Sequence, residues 1–215
     1  MTYCLGIKVK NGLIAIADNR ITAGTEVYSN KKVSIHEVGN HSLFIFKFDY
    51  MFEAVNAFGE MIRRVADEDK ATLKAEGYNF NLHSIIGGQM PNDEEHKLFL
   101  VFPEGNWIEI NEGLKYQIIG NSNYGKPLLN RALSYETPIE EALKLGFLSF
   151  DATQVSASDV DYPIDVIVYH KNSFHLIEHR LEKKQMEGVT KQWNDLLKTS
   201  VDSLETDWIK DVLGT

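Results

Sequence analysis

Strand-like alternation begins almost at the first residue. In TYCLGIKV the apolar side chains of Tyr3, Leu5, Ile7 and Val9 share one face. The tripeptide Lys10-Asn11-Gly12 then reads as a turn, and LIAIAD (13–18) returns as a second strand. Chain starts usually fray in solvent, so residue 2 is rarely informative. Here alternation starts at once, so Thr2 is expected to begin inside a sheet. It is either an ordinary strand start or a residue placed for chemistry.

The rest of the chain supplies the layers around that hairpin. EVYSNKKVSIHEV (26–38) and HSLFIFKF (41–48) read as two more strands. From Tyr50 to about Lys70 the residues Phe52, Val55, Phe58, Met61, Ile62 and Val65 recur at helical spacing. NLHSIIGGQM, HKLFLVF, NWIEI and YQIIG are further strands, with PEG and NEG as turns between them. One helix is expected after Tyr124 and another from Pro138 to about Phe150. PIDVIVYHKNSFHLIEH reads as a hairpin turning at Lys171-Asn172-Ser173, and the tail from Lys184 to Leu213 as one amphipathic helix. Strands, helices and strands in this order predict an α+β fold with two sheets flanked by helices.

With 215 residues and no linker or repeat, residues 1–215 are expected to form a single domain. A net charge of -9 argues against nucleic acid and anionic membrane as partners. No apolar run reaches the roughly 18 residues of a membrane span. Lys8 and Lys10 interrupt what would be the core of a signal peptide. The single cysteine, Cys4, excludes an internal disulfide and suits a reducing compartment, so a cytoplasmic protein is expected.

Three motifs look chemical and fail on inspection. Gly120, Gly125 and Lys126 fit the phosphate-loop pattern Gly-x-x-x-x-Gly-Lys. The next residue should carry a hydroxyl for magnesium, but it is Pro127, which suits the first turn of a helix. HLIEH (175–179) has the letters of a zinc-protease motif, but on a strand its two histidines stand roughly 13 Å apart. No metal or other cofactor is expected. Cys4 sits mid-strand with no histidine motif nearby, so a small core residue is the better reading.

Thr2 and Asp18 are different, because the hairpin register decides whether they meet. If Asn11-Gly12 alone form the loop, Leu5 faces Asp18 and the carboxylate points away from Thr2. If Lys10-Asn11-Gly12 form a three-residue loop with Gly12 in a bulge, Cys4 faces Asp18 and Thr2 faces Arg20. Asp18 is then a diagonal neighbour of Thr2, at roughly 7 Å between Cβ atoms. The pattern leaves both registers open.

The chain resembles the proteasome-type N-terminal nucleophile hydrolases, and within them the bacterial ancestral beta-subunit (Anbu) branch and related bacterial proteasome homologues. MTYCLGI, then ADNRIT in place of Ala-Asp-x-Arg-x-Thr, carry the resemblance at the start. KKVSIHE is similar to the segment that bears the family's active-site lysine, here Lys32. IIGNSNYGKPLLNRAL resembles the branch's Gly-x-x-x-Tyr-Gly-Lys-Pro element, and PIDVIVY its late core strand.

The resemblance implies a four-layer αββα sandwich and amide hydrolysis by an N-terminal threonine. Removal of Met1 would free the α-amine of Thr2, a base with an ordinary pKa of about 8, to take the hydroxyl proton. Lys32 would assist by its charge and Asp18 would hold Lys32 in place. Arg20, Asn121, Ser122, Ser156 and Asp159 are the implied supporting residues, and Thr22 and Lys47 the implied substrate-backbone contacts. Three departures mark the chain: FKFDYMFEA stands where relatives have a small glycine segment, Asn121 replaces a serine, and Ser156 and Asp159 occur in reversed order. The resemblance further implies peptide or unfolded protein as substrate and self-association into rings or helical stacks. The helix from Tyr50 and the ATLKAEGYNF after it would supply contact material, and any unfoldase partner is unspecified. The expected function is threonine peptidase. The alternatives are an inactive shell or binding subunit and, third, an amidohydrolase of small metabolites.

Overall fold

The computed structural model describes residues 2–23, 26–34, 48–77 and 80–214. They form two compact units divided between Leu181 and Glu182. In the first, a five-stranded antiparallel sheet runs in the order β10-β9-β2-β1-β8. Its strands are β1 (Tyr3–Val9), β2 (Gly12–Asp18), β8 (Tyr116–Gly120), β9 (Ile164–His170) and β10 (Leu176–Leu181). A second antiparallel sheet contains β5 (Ser84–Gly88), β6 (Lys97–Val101) and β7 (Trp107–Glu109). The strands β3 (Arg20–Ala23) and β4 (Glu26–Ser29) pair with each other. Three helices complete the unit: α1 (Met51–Ala75), α2 (Lys126–Ala132) and α3 (Ile139–Ser156).

The run KLFLV in β6 shows why these elements stack in layers. Successive strand residues point to opposite faces. Leu98 and Leu100 pack with Leu13, Ile110 and Tyr169 between the two sheets. Phe99 and Val101 pack with Met51, Val55 and Ile62 beneath α1. On the far side of the five-stranded sheet, α3 covers β1 and β2, where Gly146 permits close approach. A Cβ there would stand 2.9 Å from Ile16 Cδ1. The order helix, sheet, sheet, helix makes the unit an αββα sandwich.

The first hairpin takes neither expected register. Val9 pairs with Gly12, so Lys10 and Asn11 alone form the turn, and Cys4 faces Ala17. The reason lies in β9 rather than in the turn. A Cβ on Gly12 would lie 2.1 Å from the Tyr169 carbonyl oxygen, so glycine is needed there for close backbone approach. Neighbouring loops also fix the turn. The Lys10 N–H donates to Tyr135 O at 2.8 Å, and Asn11 O accepts from the Lys171 N–H at 2.9 Å.

Other boundaries differ as well. Of the strand expected over 26–38, Glu26–Ser29 forms β4 and residues 31–34 are irregular, while residues 35–38 lie outside the described residues. Residues 35–47, which include most of the next expected strand and Lys47, lie outside the described residues. The helix α1 runs five residues past Lys70, to Ala75.

In the second unit the expected single helix is two, α4 (Lys183–Asp202) and α5 (Asp207–Leu213). The hydroxyls of Thr199 and Ser200 bond back to the carbonyls of Asp195 and Leu196, and Ser203 Oγ bonds to Ser200 O. Such side-chain bonds compete with the helical ladder where it ends. Among the described residues, no helix is long and apolar enough to cross a membrane.

Candidate active site

The site forms where the β1–β2 ladder ends. Beyond the Cys4–Ala17 pair the strands no longer bond as a ladder, and the Asp18 carboxylate takes over. Its Oδ1 accepts the Tyr3 backbone N–H at 2.8 Å and the Thr2 hydroxyl at 2.8 Å. Asp18 is fully buried, and its Oδ2 has no partner among the described residues.

Lys32 completes the cluster from the irregular segment after β4. Its Nζ donates to Thr2 Oγ1 at 2.5 Å, to Asp18 Oδ1 at 2.8 Å and to the Arg20 carbonyl at 2.6 Å. An ammonium has three N–H donors and no acceptor, so three oxygens saturate it. The backbone N–H of Lys32 donates to Asn19 Oδ1 at 3.3 Å, which anchors the segment to the end of β2.

The edge strand β8 holds Thr2 from the other side. Tyr3 pairs with Gly120, and the Asn121 N–H donates to Thr2 O at 2.8 Å. Gly120 has φ +88°, a left-handed conformation that glycine adopts freely. Asn121 is buried, with its Oδ1 unpartnered among the described residues. Cys4 contributes a thiol 3.9 Å from Thr2 Oγ1. Burial, chiefly, pushes the Cys4 thiol above its ordinary pKa, which disfavours a thiolate nucleophile.

Thus Thr2, Asp18 and Lys32 converge, with the Arg20 carbonyl and the Asn121 amide on their borders. The Arg20 guanidinium turns to Asp161, 3.3 Å away. Ser122 is half-buried in the loop before α2. Ser156 is exposed at the last turn of α3, and Asp159 lies half-buried in the turn that follows. Thr22 lies in β3, and its side chain is outside the described set, as is Lys47. Sequence reasoning passed over Asn19, Tyr3 N–H, Gly120 and Cys4 as parts of this site. Signals were there for Asn19, as the unassigned letter inside ADNRIT, and for Gly120, as the first glycine of the Gly-x-x-x-Tyr-Gly-Lys-Pro element.

The αββα sandwich of this unit is shared with solved structures of the proteasome-like Anbu branch. Among solved structures the chain is similar to Anbu, the ancestral beta-subunit, from Yersinia bercovieri. That comparison has a TM-score of 0.84 and 26% identity over 94% of this chain and 98% of the other. A Gly-1 mutant of Anbu from Hyphomicrobium sp. strain MC1 gives 0.85 and 27% over 95% and 98%. The helical assembly of the Anbu complex from Pseudomonas aeruginosa shares the fold, at 0.83 and 23% over 94% and 97%. No protein-family model and no curated protein matches the sequence. The resemblance to the Anbu branch is therefore one of fold, carried over nearly the whole length.

Proposed function

We propose that this protein is a threonine hydrolase of the proteasome type that cleaves peptide bonds with Thr2 after removal of Met1. The observation that carries the reading is the convergence of Thr2 Oγ1, Lys32 Nζ and Asp18 Oδ1 within 2.5–2.8 Å. A threonine hydroxyl is a poor nucleophile until a base takes its proton. Lys32, with three N–H donors engaged, has no lone pair to offer. Asp18 Oδ1 already receives three bonds. The resemblance to the N-terminal nucleophile hydrolases implies as base the α-amine that Thr2 gains once Met1 is gone.

In the reaction, Oγ1 attacks the scissile carbonyl carbon while its proton passes to the α-amine. That proton then goes to the departing amine, leaving an ester on Thr2, which water hydrolyses by the same route. Lys32 stabilises the charge that develops on Oγ1, and buried Asp18 orients Lys32. The neighbour from Pseudomonas aeruginosa is described as a helical assembly, which supports self-association of this chain into rings or stacks. Peptide or unfolded protein in the cytoplasm is the proposed substrate, and all 215 residues serve this one activity.

Turnover of short peptide amides by Met1-free protein tests the reading. Thr2→Ala should abolish it, Thr2→Ser should keep part of it, and Lys32→Ala should be nearly as damaging as Thr2→Ala. The exposure of Ser156, whose family counterpart would support the threonine, favours a second reading, a proteasome-like shell subunit without peptidase activity. No turnover by folded Met1-free wild type across a broad peptide panel would select that reading.

A further inference from the structure

We infer that Asn19 and Asp165 are positioning residues for Lys32: Asp165 orients the Asn19 side-chain amide, and the amide oxygen fixes the Lys32 backbone. The inference rests on the proposal that Thr2 is the nucleophile and Lys32 the cation beside it. Its geometric basis is a row of side chains that runs from β10 through β9 to the end of β2.

Across the sheet, Arg180 of β10 faces Asp165 of β9, which in turn faces Ala17 of β2. The Asn19 N–H donates to Pro163 O at 3.0 Å, which carries the pairing two residues past Ala17. Asn19 is therefore a diagonal neighbour of Asp165 on the same face. Both side chains are buried. Arg180 holds the Asp165 carboxylate with two parallel bonds, Nε to Oδ1 at 2.7 Å and Nη2 to Oδ2 at 3.0 Å. Asn19 Nδ2 lies against the same carboxylate, short of full hydrogen-bond geometry. Burial would raise the Asp165 pKa, but Arg180, Asn19 and the charge of Lys31 hold it below the ordinary carboxylate value.

An ionised carboxylate accepts hydrogen bonds and donates none. It therefore attracts the NH2 end of the Asn19 amide, which leaves Oδ1 turned to the Lys32 N–H, 3.3 Å away. The Asn19 backbone holds the same segment, since its carbonyl accepts the Asn30 N–H at 2.9 Å. Lys31 adds a salt bridge to Glu178 on β10, two residues from Arg180. Three consecutive residues thus hold Lys32 at both ends. Asp18 Oδ1 and the Arg20 carbonyl take Nζ, and Asn19 takes the backbone N–H. A lysine side chain has many rotamers, so its ammonium is placed reproducibly only when its backbone is fixed as well. Displacing a catalytic group by about 1 Å costs roughly a hundredfold in rate, which sets the size of the effect.

Two measurements test the inference, one of which needs no activity. In the full chain, hydrogen exchange at the Lys32 amide, resolved by mass spectrometry, reads the bond to Asn19. Exchange there should be about fivefold faster or more in Asn19→Leu and in Asp165→Asn. Rates equal to wild type in both variants overturn the anchor. The second measurement is labelling of Met1-free protein by a peptide epoxyketone, which closes a ring on the hydroxyl and amine of a terminal threonine. Per folded molecule, the maximal labelling rate should fall about tenfold to a hundredfold in both variants, with the half-saturating probe concentration unchanged. A merely structural role would lower the folded fraction and leave that maximal rate at the wild-type value, a result that overturns the positioning role. Exchanging the two groups, Asn19→Asp with Asp165→Asn, again sets one carboxylate against one amide and should recover most of the rate. A double variant no faster than Asp165→Asn overturns the orientation by Asp165. Folded wild type that takes no label overturns the parent reading and the role in catalysis with it, while the exchange rates still decide whether the row holds Lys32.

Discussion

Gly120 lies so close to Thr2 that a Cβ added to it would stand 1.9 Å from the Thr2 carbonyl oxygen. The two residues are locked by the edge strand, which bonds Thr2 through the neighbouring Asn121 N–H at 2.8 Å. In the proposed mechanism Thr2, freed of Met1, has no residue before it to hold it still. The backbone of β8 supplies that restraint, and only glycine leaves the space for it.

Gly120→Ala should therefore displace Thr2. A Cβ at φ +88° adds backbone strain to the clash, for a stability loss of at least about 1–3 kcal/mol. Denaturant titration should show the loss, and Thr2 labelling should fall far more than the fraction of unfolded protein accounts for. Labelling at the wild-type rate would show that the restraint is unnecessary.

Lys32 and Asp18 should separate stability from activity. Asp18 is fully buried, so Lys32→Ala leaves its carboxylate without a counter-charge and should cost about 3–5 kcal/mol. Adding Asp18→Asn to Lys32→Ala removes the orphaned charge and should restore part of that stability. Activity should stay absent in the single and the double variant. A double variant no more stable than Lys32→Ala would mean that the pair is not coupled.

At the opposite end of β1, Lys8 is buried and reaches Glu95 at 2.8 Å and Glu109 at 3.8 Å. Lys97 lies 3.1 Å from Glu109 and 3.7 Å from Glu95, so the carboxylates keep one cation when Lys8 is lost. Lys8→Met should thus cost less than a fully orphaned pair, about 1–3 kcal/mol. Melting curves of Lys8→Met, Glu95→Gln and the double variant would measure the coupling. Peptidase activity should not change at a constant folded fraction.

His96 is wholly buried, with Nε2 2.8 Å from Val9 O. Burial, aided by the charge of Lys8 and opposed by the Val9 bond, holds its pKa below the ordinary histidine value. The unfolded chain therefore binds the proton first as pH falls. Stability should be full above about 6.5 and should decline as pH drops from there through the folded pKa. His96→Gln, which retains a donor toward Val9 O, should flatten that slope in chemical denaturation between pH 7 and 5. An unchanged slope would assign the effect to other groups.

How far the sequence exposed this architecture depends on what each residue was serving. The alternation of Tyr3, Leu5, Ile7 and Val9 and the unbroken KLFLV run showed strands, because period-2 burial depends only on local geometry. The register was hidden, because Gly12 answers to Tyr169, more than 150 residues away, and not to its own turn. The break at Ser203–Thr206 was masked by apolar residues on either side that keep helical spacing. At the site, the three-residue-loop register made Asp18 a diagonal neighbour of Thr2; the two do meet, but in a different register, because the ladder stops and the carboxylate caps it. Lys32 was legible only through resemblance, since nothing local in an irregular segment says where an amine will reach.

The most direct measurement is the intact mass of protein treated with a peptide epoxyketone, with and without Met1. Protein beginning at Thr2 can be released from a cleavable fusion and compared with the Met1-bearing chain and with Thr2→Ala. The account predicts one adduct per chain on the Met1-free protein, located at Thr2, and none on either control. A folded Met1-free protein that stays unmodified, or an adduct that persists in Thr2→Ala, would contradict Thr2 as the nucleophile.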